Sequence, residues 1–180
     1  MAVESGAPNV TDMTPQVLNL KNPGAEIVLL FHDGLVQLYR ALPKANYKPV
    51  VAGNWGLSSQ MVLDIVGKEA IEGTVMGQAL DVNDPKAADF DAKMKKEFGD
   101  KYRWPVLAAL GYDAMRIVLQ AVDKVGGDPI KLQKALEETD GYKAVSGTPP
   151  KPFGPKDHEC LDPQNVFLGV WKDGRVVKLQ

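Results

Sequence analysis

From Ala25 to Phe31 the chain reads AEIVLLF, a run of strand length that is apolar on both side-chain parities. A strand of that kind has no face suited to water, which predicts a central parallel strand covered by helices. The flanking residues keep a matching rhythm. Upstream, Thr14 is placed to cap a short helix with Pro15 at its first position, and Asn22-Pro23-Gly24 ends it. Downstream, Gly34 opens a second helix with Leu35, Leu38, Tyr39 and Leu42 at helical spacing, and Pro49 to Ala52 reads as the next strand. The loop Gly53-Asn54-Trp55-Gly56 follows, then a helix capped by Ser58 or Ser59 that runs to Val66 and stops at a left-handed Gly67. Glu72 to Leu80 is a third strand. Helices alternating with strands predict an open parallel α/β sheet.

The pattern changes after Leu80. Asp84-Pro85 starts a helix to Phe98, Pro105 to Val125 forms the longest helix, and Asp128-Pro129 starts another that ends near Glu138. The long helix is apolar around most of its circumference and is expected between layers. No strand separates these three helices, so they need a sheet to cover, and the strands already read have helices of their own. Gly147 to Pro155 is too rich in Pro and Gly for regular structure. Val166 to Trp171 and Arg175 to Leu179, joined across Asp173-Gly174, predict a C-terminal β-hairpin.

Composition removes several function classes. The 21 basic residues are interleaved with 23 acidic ones for a net charge of -2, which is no footprint for nucleic acid. No apolar run is read as approaching the ~20 residues of a membrane span. The single cysteine, Cys160, excludes an intrachain disulfide. Asp157-His158-Glu159-Cys160 lacks the second His/Cys cluster a metal site needs, and His32 is the only other histidine. Ser58-Ser59 has no nucleophile elbow, and the glycines spell neither a phosphate loop nor a dinucleotide fingerprint. No catalytic residue, metal or cofactor is therefore expected. Met1 to Val10 has neither the basic nor the apolar region of a signal peptide.

Asp12 to Gln16, the strand Ala25 to Phe31, Ala70 to Gly73 (AIEG), Ala108 to Ala114 (AALGYDA), His158 after Phe153, and the Asp173-Gly174 turn occur in an order that resembles the type I periplasmic solute-binding proteins of the branched-chain amino-acid (leucine-binding) ABC transporter family, in their C-terminal portion. The resemblance runs from about Asp12 onward. It implies an α/β fold with an open parallel sheet, helices on both faces and a C-terminal β-hairpin, plus helices belonging to the other lobe. It also implies a division into 1–80 as a second-lobe α/β segment, 84–139 as helices that pack on a first lobe, and 142–180 as a return to the second lobe. The implied function is non-enzymatic: capture of an amino acid or related carboxylate between two lobes and delivery to ABC permease subunits in the periplasm, the chain being cut from a longer precursor or expressed as a fragment. The partners implied are that ligand, the permease, the missing N-terminal lobe and, through helices left without their sheet, self-association. A ligand-sensing domain of the same fold and a small cytosolic α/β enzyme are the alternatives.

Ligands of open α/β sheets bind beyond the carboxyl ends of the strands. The loops there are Phe31-His32-Asp33 and Asn54-Trp55. Trp55, flanked by glycine, suits a stacking wall as well as it suits packing within its own lobe. Asp33 is read as a cap for the helix opening at Gly34 or as acceptor for a ligand ammonium, and His32 as a donor to a carboxylate or an exposed loop residue. The resemblance places Leu107 and Trp104 where family members reach toward ligand across the hinge, although plain core is the simpler reading for Leu107. It gives Tyr112 and Asp113 a structural role.

Overall fold

The computed structural model describes residues 1–179. The chain divides into two compact units, Met1–Gly77 with the stretch from Leu168 onward, and Gln78–Phe167. The first contains α1 (Thr14–Lys21), β1 (Ile27–Leu30), α2 (Leu35–Lys44), β2 (Val50–Gly53), α3 (Gln60–Val66), α4 (Lys68–Ile71), β3 (Val75–Gln78), β4 (Phe167–Lys172) and β5 (Arg175–Lys178). The strands form one sheet in the order β1-β2-β3-β4-β5. β1 and β3 both run parallel to β2, and β4 and β5 form an antiparallel hairpin.

The mixed α/β class and the open, mostly parallel sheet agree with the sequence. The position of β1 does not: it stands at the sheet's edge, and its side chains alternate exposed and buried. Val28 and Leu30 join Val51 and Met76 in a core closed by Val17 of α1, Leu38, Ala41 and Leu42 of α2, Val62 of α3 and Ile71 of α4. Ile27 and Leu29, on the opposite parity, are exposed. The cause is the winding. Strands β1 to β3 advance in one direction, so right-handed crossovers set their helices on one side. Among the described residues, no helix of this unit covers Ile27 and Leu29.

Local chemistry explains smaller departures. α1 begins at Thr14, but its N-cap is Met13; Asp12 accepts from the Thr14 amide at 3.0 Å and hydroxyl at 2.6 Å, so the aspartate does the work assigned to Thr14. Ser59 precedes α3 without a side-chain cap, and Gly67 ends it at φ 86° and ψ 158°, outside the left-handed helical region. The Asp173-Gly174 turn has both φ angles positive, as a primed hairpin turn requires. Trp171 locks the hairpin to the unit by donating its indole N–H to the Leu57 carbonyl at 2.7 Å.

The second unit contains α5 (Pro85–Phe98), α6 (Pro105–Val125) and α7 (Pro129–Glu137), followed by the irregular stretch to 167. Asp84 and Asp128 cap α5 and α7 through their carboxylates. The resemblance assigns 142–180 to the second lobe; the stretch to 167 lies in one compact unit with α5 to α7, and its 142–146 loop is hydrogen-bonded to α6. Asp113, fully buried, accepts from the Tyr142 hydroxyl at 2.9 Å, the Val145 and Ser146 amides at 3.1 and 2.9 Å, and the Ser146 hydroxyl at 2.5 Å. By length and apolar composition α6 also matches a membrane span, contrary to the sequence reading. Its buried, hydrogen-bonded aspartate instead marks a core helix of its unit. Only one stripe of it is covered, at Val106, Ala109, Asp113, Ile117 and Ala121. Leu107, Met115 and Leu119 are exposed, so α6 is not held between layers.

Candidate ligand-binding site

β1 and β2 are parallel and pair Leu30 with Gly53, so both end at one edge of the sheet and their loops leave side by side. Gly53 makes this closeness possible: a Cβ there would stand 2.5 Å from the Leu30 carbonyl oxygen. Phe31, His32, Asp33, Asn54 and Trp55, all singled out from the sequence, are thereby gathered at one carboxyl edge.

Their side chains are held very differently. Phe31 is exposed. His32 is already engaged at both ring nitrogens. Its Nδ1 accepts from the Gly34 amide at 2.7 Å, which requires the proton on Nε2; that N–H faces the carbonyls of Gly6 and Ala7 at 3.2 and 3.1 Å. The expected donor to a ligand carboxylate is thus a clasp fastening residues 6–7 to the β1–α2 turn. Gly34 is the N-cap of α2 and no side chain caps that helix, so Asp33 does not act as its cap. Among the described residues the exposed Asp33 carboxylate has no hydrogen-bond or ion-pair partner. Asn54 caps the short 3-10 turn Trp55–Ser58 by accepting from the Gly56 amide at 2.8 Å. Trp55, half-buried, begins that turn, and its carbonyl accepts from the Ser58 hydroxyl at 2.7 Å. Leu107 stands exposed on α6, in the other unit.

A concavity also lies away from these loops. A cavity of about 510 Å³ in the second unit is bounded by Asp81, Asp84 and Lys86 and by the loop from Gly141 to Thr148. Its polar groups are largely spent on the Asp113 network and the cap of α5. Among the described residues no three His, Cys, Asp or Glu side chains gather to hold a metal. His158 pairs with Glu137 at 3.3 Å, and burial raises the Cys160 thiol pKa. The Asp113 network was only partly legible: the resemblance implied a structural role for Asp113, but four donors from one distant loop leave no periodic trace.

The family model for periplasmic binding proteins matches residues 3–175. The chain belongs to this family. The Leu/Ile/Val-binding protein homolog 7 of Brucella abortus (strain 2308) is 29% identical over 181 residues, covering 94% of this chain and 44% of that protein. The chain thus spans less than half the length of the curated relatives it matches. A type 1 periplasmic binding protein from Bordetella pertussis Tohama I superposes with a TM-score of 0.79 at 22% identity, over 95% of this chain and 50% of that one. The leucine binding protein LivK of Thermotoga maritima does so with a TM-score of 0.71 at 20% identity, over 96% and 49%. At these identities the superpositions speak for the fold.

Proposed function

We propose that this chain is the C-terminal portion of the substrate-binding component of an ABC importer for branched-chain or related amino acids, working in the periplasm with a permease and with an N-terminal lobe that the chain does not contain. The observation that carries this reading is the pair of loops at the carboxyl edge of β1 and β2 in a member of the periplasmic binding protein family. In this reading the unpartnered Asp33 carboxylate meets the ligand ammonium, Phe31 and Trp55 offer apolar surface to its side chain, and the Asn54 amide supplies a further polar contact. His32 acts indirectly, by fixing the turn that presents Asp33.

Such a surface is one wall of a cleft. The opposing wall would hold the ligand α-carboxylate and share its ammonium, and hydrogen bonds to charged groups contribute about 1.5–3 kcal/mol each. Without two or three of them affinity falls on the order of a thousandfold or more. Titration calorimetry of the isolated chain with leucine, valine or an aromatic amino acid tests this. Binding no tighter than millimolar is expected, and micromolar binding would overturn the half-site reading.

A further inference from the structure

The chain contains three Asp-Gly pairs, Asp33-Gly34, Asp140-Gly141 and Asp173-Gly174. In such a pair the glycine nitrogen can attack the side-chain carboxyl of the aspartate before it, since no Cβ on the glycine bars the approach. Whether it does depends on how that amide and that carboxylate are already held. Gly34 is buried, and its amide donates to His32 Nδ1 at 2.7 Å. The Asp173 carboxylate is paired with Lys68 at 3.2 Å, and the Asp173 amide donates to Glu72 at 3.1 Å. Asp140 and Gly141 are held differently. Both are exposed in the irregular segment after α7, and the Gly141 amide donates to Asp140 Oδ1 at 2.8 Å. The nucleophile rests against the carboxyl it would attack.

We infer that Asp140 is a modification site, where the backbone isomerises spontaneously to isoaspartate and unseats the loop that serves Asp113. The Asp140 carboxylate takes a proton from solvent and the Gly141 nitrogen bonds to its Cγ. The amide proton and the carboxyl hydroxyl leave as water, and a succinimide ring closes. Water then adds to the ring at the Asp140 main-chain carbonyl and breaks its bond to the Gly141 nitrogen. The chain now runs through Cγ, longer by a methylene, with the former main-chain carbonyl carbon as a free carboxylate and the total mass unchanged. The added length falls just before Tyr142. That residue's amide donates to the Pro150 carbonyl at 3.0 Å, and its hydroxyl and the Val145 and Ser146 amides donate to Asp113. An added backbone bond of about 1.5 Å exceeds the ~0.5 Å range over which an N–H···O hydrogen bond keeps its strength.

The test is to hold the whole chain in warm, weakly acidic to neutral buffer for weeks. Peptide mapping, with a fragmentation that separates the two linkages, then measures isoaspartate at each pair. Isoaspartate at Asp140 is expected to exceed that at Asp33 and at Asp173 about tenfold. Asp140→Glu keeps the charge but could close only a larger, slower ring, and should remove most of the isoaspartate. Asp173→Glu should leave the total unchanged. In chains carrying isoaspartate at Asp140, the Val145 and Ser146 amides should exchange about tenfold faster, while amides of the first unit keep their rates. Isoaspartate gathered at Asp33 or Asp173, its absence everywhere, or a total that survives Asp140→Glu overturns the site. Unchanged exchange at Val145 and Ser146 in the isomerised chain overturns its effect on the Asp113 network.

Discussion

The α6 stripe around Asp113 and the β1–α2 loop around Asp33 carry the same functional group under opposite conditions. Asp113 is sealed from solvent and its two oxygens receive four donors from residues 142–146. Asp33 is exposed and has no partner among the described residues, although the turn beside it is fastened on both sides by His32. A carboxylate whose acceptor capacity is filled from within holds a fold together. One left open on a rigid loop at a sheet's carboxyl edge costs little to keep and is free to meet a cation. The contrast separates a structural acid from a candidate binding acid without reference to where either lies in the sequence.

Four measurements break or sharpen that contrast. Asp113→Ala strands four donors in a buried site and should cost about 3–5 kcal/mol. That lowers the thermal midpoint on the order of 10 °C. A shift below a few degrees would mean that water replaces the carboxylate at no cost. Next in size is a pH effect in the first unit. Burial pushes the Tyr39 phenol up to about 12, against the opposing effect of its hydrogen bond with Thr74 at 2.6 Å. Because the folded pKa lies above the unfolded value of 10.0, this contribution is complete below pH 10 and is lost as pH rises toward 12. Denaturant midpoints should fall over that window by the equivalent of roughly 2–3 kcal/mol, and Tyr39→Phe should flatten the profile.

His32→Ala removes the clasp on residues 6–7 and should cost about 1–2 kcal/mol, with faster amide exchange confined to the first dozen residues and Gly34. Exchange unchanged there would show that the segment is held by other contacts, such as Val10 and Met13 beside Gly34. Asp33→Asn comes last and should change stability by less than about 0.5 kcal/mol. A larger loss would place Asp33 with Asp113 as a structural acid and remove it from the site.

Much of this architecture was legible because it is periodic or local. The run Ala25–Phe31, the Asp-Pro starts of α5 and α7 and the Asp-Gly hairpin turn each leave a mark within a few residues, and the elements formed where they were read. Whether an apolar face finds its cover is a non-local matter. The two apolar faces of β1 and the apolar girth of α6 state that a layer belongs there, but not that this chain provides it. The candidate site was legible as loops, since strand ends predict them. Which side chains were free was not, because His32 is engaged by carbonyls 25 and 26 residues upstream.

The central claim, that the loops after β1 and β2 form one wall of an amino-acid site, is tested most directly by amide chemical shifts of the labelled chain during titration with leucine to tens of millimolar. Linear, unsaturated or millimolar shifts are expected, concentrated at residues 31–34 and 54–56 and lost in Asp33→Asn. Shifts absent from those residues, or gathered instead around the cavity beside Tyr142 and Ser146, would contradict it.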